Sequence, residues 1–297
     1  KVHRGVDWIV MVENRETNHT GKVYIHRTGS KSNIAEKGED FRQGDIILKK
    51  GTIIKPQHIA ILASIGSDWP LVKNKPQVNI ITTGDELVEP GMTPDKNQIR
   101  NSNASQLKAQ LQQIGVIPDY SGIIKDTRNT LRTTLSKSLK NYHITLITGG
   151  VSMGDYDFVP GMLKSLGVEI LFHKIAMKPG KPTLFGRKDN HLVFGLPGNP
   201  VSSFLQTELL VKPLIFKMMD AEYRPAELKL PMGKDFPAKV SDRDSWKPVK
   251  VRDGKIYPVH YHGSGHIHAL NEAEGFICIP VGSNGYQKND IVHVRSI

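Results

Sequence analysis

Cysteine is almost missing from this chain of 297 residues: Cys278, in GFICIPVG, is the only one. No internal disulfide can form, and the residue reads as a small core position of a strand in a protein of the reducing cytoplasm. Aromatic residues are scarce, at 7%, and there is no RNP-type aromatic motif, zinc-finger spacing or basic heptad region, so nucleic acid falls back as a partner. No apolar run approaches the length of about eighteen residues that a membrane span needs, and KVHRGVDWIV lacks the order of a signal peptide. Acid is also in deficit. Forty Lys and Arg face 29 Asp and Glu, a formal charge of +11, which admits nucleic acid, an acidic surface or a phosphorylated small ligand. Because the basic residues are dispersed rather than gathered in a tail, the phosphorylated ligand leads, set against an ordinary basic surface tuned for solubility.

What is present has a clear order. Residues 1–50 hold short strand-like runs (WIVMVEN, GKVYIHR, DIILKKG) and read as a small β-rich unit. Residues 51–74 hold a helix in PQHIAILASIG, with Pro56 near its start, and a Pro- and Lys-bearing linker. From 75 to 220 strands alternate with helices. VNIITTG, YSGIIKD and HITLITGG read as strands. NSNASQLKAQLQQIG reads as a helix capped by Ser102 or Asn103 and stopped by Gly115, and TRNTLRTTLSKSLKNY as one capped by Asp126 or Thr127. YDFVPGMLKSLG reads as a helix, VEILFHKIAM, KPTLFG and HLVFGLPG as further strands, and NPVSSFLQTELLVKPLIFKMM as a closing helix. This alternation predicts an α/β fold with a central, doubly wound, mostly parallel sheet. Residues 221–297 return to β, with an Asp-Gly hairpin turn in VKVRDGKIYPV, and predict a small barrel.

Ligands of such sheets sit beyond the carboxyl ends of the strands. Five segments fall there: TTGDE (Thr83, Gly84, Asp85, Glu86), Asp126, TGGVSMGDYD (Gly149, Gly150, Ser152, Asp157), the lysine-rich HKIAMKPGKP (Lys174, Lys178, Lys181) and LPGNP (Pro197, Gly198, Asn199, Pro200). Glycine pairs admit close backbone approach, and a helix start with a cap and an N1 proline favours an anion. Taken singly, each has a plainer reading as turn, cap or solvated surface charge. Carboxylates facing lysines across neighbouring strand ends describe a site for a divalent metal and a phosphate together.

TTGDELVEPG, IRNSNASQLKAQLQQIGV, TGGVSMGDYDFV, KIAMKPGKPTLFG and GLPGNPVSSF, in that order, resemble the molybdopterin-binding core of the MoeA family, the molybdopterin molybdenumtransferases, to which the gephyrin E domain also belongs. GEDFRQGD, GTIIKPQHIAILASIG and HGSGHIHALNEAEGFICIP extend the resemblance over nearly the whole chain. It implies an enzyme of molybdenum cofactor synthesis that takes adenylated molybdopterin, cleaves the pyrophosphate link with Mg2+, inserts molybdate and releases AMP. Lys174, Lys178 and Lys181 would face phosphates and oxyanion, and Glu86, Asp126 and Asp157 would position metal, nucleotide or pterin. Asp40 would come from the second domain, across a homodimer, and Ser264 from the barrel. The family often carries Arg where this chain has Ser245, which leaves Arg243, Lys247 or Lys250 for any anion contact there. The family's amino-terminal stretch, with its DGYA-type loop, has no counterpart here, which implies an incomplete amino terminus. Two other functions stay open: the adenylyltransferase of the same pathway, otherwise a possible partner, and a non-catalytic scaffold. Binding of AMP or adenylated molybdopterin should weaken as salt rises. Calorimetry showing salt-independent binding, or binding retained after deletion of residues 75–220, would remove the phosphate-site reading.

Overall fold

The computed structural model describes residues 3–26, 33–125, 127–150 and 158–297, so Asp126, Ser152 and Asp157 lie outside the described residues. The chain divides into two compact units, Lys1–Pro70 and Leu71–Ile297. In the first, strands β1 (Arg15–Thr17) and β2 (Val23–Ile25) pair antiparallel. Asn18 Oδ1 closes the turn by accepting from the amides of Thr20 and Lys22, at 3.1 and 2.9 Å. Helix α1 (Pro56–Ser64) follows, with proline in its first turn and His58 Nδ1 accepting from the Lys55 amide. DIILKKG forms no strand. Its apolar residues lack the alternation that would bury one face, and Leu62 is the only buried residue among those described in this unit.

In the second unit β3 (Val78–Thr83) is followed by the two-residue strands β4 (Leu87–Val88) and β5 (Ile99–Arg100), helix α2 (Ser102–Gln113), β6 (Asp119–Ile124), α3 (Arg128–Asn141), β7 (Ile144–Thr148) and α4 (Phe158–Ser165). Then come β8 (Glu169–Phe172), β9 (Met177–Lys178), β10 (Leu184–Lys188), β11 (His191–Leu196) and a helical run of α5 (Pro200–Gln206), one π turn (Thr207–Val211) and α6 (Lys212–Met218). The main sheet has the order β6-β3-β7-β11-β10-β8. Its first four strands are parallel, and β10 runs antiparallel to both neighbours. Leu107, Leu111, Val211 and Ile215 cover one face, and Leu131, Leu135, Val159 and Leu163 the other. The sheet is therefore wound on both sides, as the alternation predicts.

Local signals decide the helix ends. The cap of α2 is Asn101, whose Oδ1 accepts from the Ala104 amide at 3.2 Å, one residue before Ser102 and two before Asn103. Asn101 wins because the two-residue ladder of β4 with β5 holds the chain extended up to Arg100. Thr127 caps α3, and Gly115, at φ +72°, ends α2 with the Val116 amide donating to the Leu111 carbonyl. One expectation fails in detail. The KPGKP segment does not end a strand of the main sheet, because two prolines without amide donors and Gly180 at φ +107° cannot sustain a ladder there. Instead β9 leaves that sheet, and the loop after it returns to enter β10 at the same edge.

Beyond α6 lie β12 (Glu227–Pro231), β13 (Phe236–Pro237), β14 (Asp244–Arg252), β15 (Lys255–Pro258), β16 (Gly275–Ile279), β17 (Gly285–Tyr286) and β18 (Ile291–Ser296). Five of them pair in the order β12-β18-β16-β14-β15, and a Met232–Ile256 bridge joins the two edges into a small barrel. Asp253 and Gly254, at φ +50° and +68°, make the β14–β15 turn. Met232, Val249, Ile256, Ile277, Val292 and Val294 fill the interior.

The main sheet changes direction between β3 and β7, and there Gly149, at φ +91°, leaves no room: an added Cβ would lie 1.8 Å from the Thr83 carbonyl oxygen. At Gly150, φ +57°, the nearest atoms are side-chain methyls at 3.0 and 3.1 Å, which can give way. Gly149→Ala should therefore cost more than about 2 kcal/mol and lower Tm by at least about 4 °C, and Gly150→Ala distinctly less. Equal losses in thermal denaturation would refute this account of the switch point.

Candidate functional site

The switch-point edge is braced from below. Asn101 Nδ2 donates to Tyr120 Oη and, at 3.3 Å, to Thr82 Oγ1, and the Tyr120 hydroxyl donates to Glu89 at 2.8 Å. Burial, with the Glu89 carboxylate beside it, holds the Tyr120 phenol protonated well above its ordinary range. Next along the edge, Asn103 Nδ2 donates to Thr148 Oγ1 and to the Gly198 carbonyl, both at 2.8 Å, and so ties the end of β7 to the turn that opens α5. Sequence reading treats Asn103 as a helix cap. Its distant partners are visible only in the fold. Thr83, Gly84, Gly149 and Gly150 thus stand together at the two strand ends. The Glu86 carboxylate folds back over Gly84, 2.7 Å from where a Cβ would be, and Asp85 and Glu86 are both exposed.

A cleft of about 450 Å³ opens where the α/β domain meets the barrel. Pro179, Gly180 and Pro182 line it together with Lys178 and Lys181, and Pro197, Asn199 and Ser202 come from the β11–α5 junction. The barrel adds Arg243, Lys247, Tyr261, His262, Gly263 and Ser264. Two main-chain links hold the halves together: β9 pairs parallel with β14 through Met177–Asp244 and Lys178–Ser245, and the Val201 amide donates to the Ser264 carbonyl at 3.0 Å. Asn199 caps α5 by position, but its side chain makes no capping bond and stays at the cleft, beside Pro200 in the first turn. Of the residues expected from sequence, Lys178, Lys181, Pro197, Asn199 and Ser264 meet in this one cleft. Lys174 is exposed ahead of β9 and does not line it. Asp40 is exposed in the first unit.

Among the described residues four cations line the cleft and no carboxylate does. Arg243 has an ion pair at 3.3 Å with Asp242, a carboxylate so exposed (86%) that it neutralises little. Lys247 lies over the Tyr261 ring, 5.6 Å from its centroid, and its pKa is pushed down by burial and then by the charge of Lys178. Burial also raises the Tyr261 phenol to about 12, and its hydroxyl is a buried donor without a partner among the described residues. Fixed positive charge and an unused donor in one partly desolvated cavity describe an anion site. Ser245 is buried and faces a second cavity, of about 300 Å³, that shares the wall of Lys178, Lys247 and Tyr261. Arg243 and Lys247 are therefore the barrel's cations here, whereas Lys250 is engaged by Glu272 at 2.8 Å. Tyr261, His262 and Ser202 escape sequence reading, although YHGSG signals irregular backbone at the first two and NP a helix start just before the third.

Three family models account for most of the chain: the MoeA N-terminal region (domain I and II) over residues 1–66, a probable molybdopterin binding domain over 79–217 and the MoeA C-terminal region (domain IV) over 229–297. A molybdopterin molybdenumtransferase of Bacillus subtilis (strain 168) is 35% identical over 306 residues, an alignment spanning 100% of this chain and 71% of that protein. The chain belongs to the molybdopterin molybdenumtransferase (MoeA) family. A relative of the same name from Staphylococcus aureus (strain Mu50 / ATCC 700699) is 32% identical, over 99% of this chain and 71% of its own length. The crystal structure of the molybdopterin biosynthesis MoeA protein from Pyrococcus horikoshii OT3 matches with a TM-score of 0.79 at 30% identity, covering 98% of this chain and 72% of that one. The barrel side of the cleft thus falls within the MoeA C-terminal region and the lysine loop within the molybdopterin binding domain.

The lowered Lys247 pKa has a sign that can be measured. Without ligand, the folded chain gains stability as pH rises through that lowered value, since the unfolded chain still holds the proton. A bound anion favours the ammonium, so in the alkaline range where the free ammonium begins to lose its proton, binding should take up protons and then weaken as pH rises further. Calorimetry of AMP or molybdate in two buffers of different ionisation enthalpy should show this uptake, and Lys247→Met should abolish it. Identical binding enthalpies in both buffers for the unmutated chain would sink the assignment.

Proposed function

We propose that the cleft binds the phosphate-bearing part of adenylated molybdopterin together with molybdate, and that the switch-point edge beside it holds the metal-dependent end of the site. As a MoeA family enzyme the chain acts in molybdenum cofactor biosynthesis, inserting molybdenum into molybdopterin. The observation that carries the finer reading is the convergence of Lys178, Lys181, Arg243 and Lys247, from two domains, on one cavity that no carboxylate lines among the described residues. A pyrophosphate link and a molybdate dianion are the kind of ligand such a cavity stabilises, since each fixed donor opposes charge that water no longer screens. Lys178 and Lys181 bind and orient the anionic groups, Lys247 and the Tyr261 hydroxyl approach them from the barrel, and Asn199 and Ser264 are placed for polar contacts at the rim. Thr83, Gly84, Gly149 and Gly150 admit ligand close to the main chain, with Asp85 beyond them.

The metal in this reading is Mg2+, held by Glu86 with Asp126 and Asp157. Among the described residues no group of three acidic, His or Cys side chains gathers to hold an ion, and Glu86 supplies one exposed, hard oxygen donor of the kind Mg2+ takes. When bound, the ion would neutralise phosphate charge and polarise the link that is cut to release AMP. The remaining parts of the proposal are a homodimer in which Asp40 completes the partner's cleft, a handover from the adenylyltransferase, and action in the cytoplasm. Among the described residues no helix is long and apolar enough to cross a membrane. Barrel residues in the cleft weigh against an adenylyltransferase built from the central domain alone, and a pure scaffold would have no use for the gathered cations.

Molybdenum insertion and AMP release, measured with Mg2+ and molybdate in a full-length enzyme, test this. Lys178→Ala, Glu86→Gln and Asp157→Asn should each lower turnover by about a hundredfold or more while stability stays within about 0.5 kcal/mol, because none of the changes removes core volume. An unchanged rate for Lys178→Ala would remove the anion cleft, and unchanged rates for both carboxylate variants would leave those acids as caps and surface groups.

A further inference from the structure

Lys178, at the end of β9, and Lys181 flank a tight loop, and two carbonyls brace its shape. The Lys181 carbonyl accepts from the amides of Ile175 and Thr183, both at 3.0 Å, which closes the loop on itself. The Gly180 carbonyl accepts from Thr183 Oγ1 at 2.8 Å and from Gln206 Nε2 at 2.6 Å. Only the second of these leaves the loop. Gln206 is fully buried on the far turn of α5, the helix whose first turn brings Ser202 to the cleft.

Two further observations single out that bond. Gly180, at φ +107°, has no space for a Cβ, which would sit 2.1 Å from Gln206 Nε2, so the amide and the loop backbone are in direct contact. The other end of the amide, Gln206 Oε1, is buried without a partner among the described residues. A glutamine kept only for packing would be improved by an apolar residue of the same shape, because a buried, unpaired acceptor carries a desolvation penalty. Its presence is accounted for if the single bond to Gly180 matters more than that penalty.

We propose that Gln206 is a positioning residue for the anion cleft: its amide fixes the spacing between the Lys178–Lys181 loop and the start of α5, and so sets the affinity for phosphate and oxyanion groups. The inference rests on the reading of the cleft given above. It predicts a divergence that a purely structural role would not produce. Gln206→Met keeps the shape and removes both the donor and the unpaired acceptor, so Tm should hold or rise while affinity for pyrophosphate falls about tenfold. Gln206→Glu should bind less well than the parent at neutral pH and recover toward it as pH falls, since a protonated carboxyl can donate to the Gly180 carbonyl again.

The experiment is calorimetric titration of pyrophosphate and of molybdate into the full chain and its Gln206→Met, Gln206→Glu and Lys178→Ala variants, with thermal denaturation alongside. Weak binding by Gln206→Met at unchanged Tm, together with a falling ratio of parent to Gln206→Glu affinity at lower pH, supports the inference. Parental affinity in Gln206→Met, or a ratio for Gln206→Glu that ignores pH, overturns it while Lys178→Ala still loses binding. Parental affinity in Lys178→Ala overturns the cleft itself, and the positioning role with it.

Discussion

A short stretch of parallel pairing, Met177 and Lys178 against Asp244 and Ser245, carries most of what this molecule can do. It takes a segment of the α/β domain and makes it an added strand of the barrel sheet, so that the two domains share backbone hydrogen bonds rather than side-chain contacts alone. Around it a junction core forms: Met177, Val201, Leu205 and Phe276 are buried together, with Trp246 and Tyr261 packed against them. Burial of that size resists separation of the domains, since each large apolar side chain contributes about 1.5–3 kcal/mol. Cations from both domains are held in one cavity by this junction and not by any attraction between themselves.

Holding them there is electrostatically adverse. Lys178 and Lys247 repel one another, and Lys247 is partly desolvated, so its ammonium is disfavoured relative to water. The cation–π contact with Tyr261 offsets some of this. Among the described residues no carboxylate lines the cavity to relieve the rest, and the buried Tyr261 hydroxyl also lacks a partner. Positive charge without a lining carboxylate and a buried donor without a partner are features that an anionic ligand would complement. Elsewhere the chain neutralises its buried charges: Lys212 and Glu208, each only 5% exposed, pair at 2.5 Å on the α5–α6 run, with Tyr223 and Gln110 also bound to Glu208.

The second constraint is backbone proximity, at the sheet's switch point and in the lysine loop. Gly149 touches the Thr83 carbonyl, Gly180 touches the Gln206 amide and the Glu86 carboxylate occupies the space a Gly84 side chain would take. In each case the missing Cβ is used by another part of the protein, so these glycines shape the edge as well as leaving room for a ligand. Asn103 then couples this edge to the cleft, since one amide nitrogen serves both the Thr148 hydroxyl and the Gly198 carbonyl.

Much of this was legible in the residues themselves. The alternation of strands and helices from VNIITTG to the closing NPVSSFLQTELL run, the Asp253–Gly254 hairpin and the glycine-rich strand ends are local signals, governed by periodicity and by φ preferences that neighbouring residues largely determine. So were Lys178, Lys181, Asn199 and Ser264 as candidates, through motifs that resemble one family. Helix caps were less legible, because Asn101, Ser102 and Asn103 have similar intrinsic capping strength and the preceding two-strand ladder chose among them. What only the tertiary structure decided is which charges meet. The lysine loop leaves the main sheet and joins the barrel, Lys174 stays outside the cleft that Lys178 and Lys181 line, and Arg243 and Lys247 enter it while Lys250 turns to Glu272. These outcomes depend on contacts between residues some seventy positions apart, formed by strand pairing and core packing between domains, and no local periodicity encodes them.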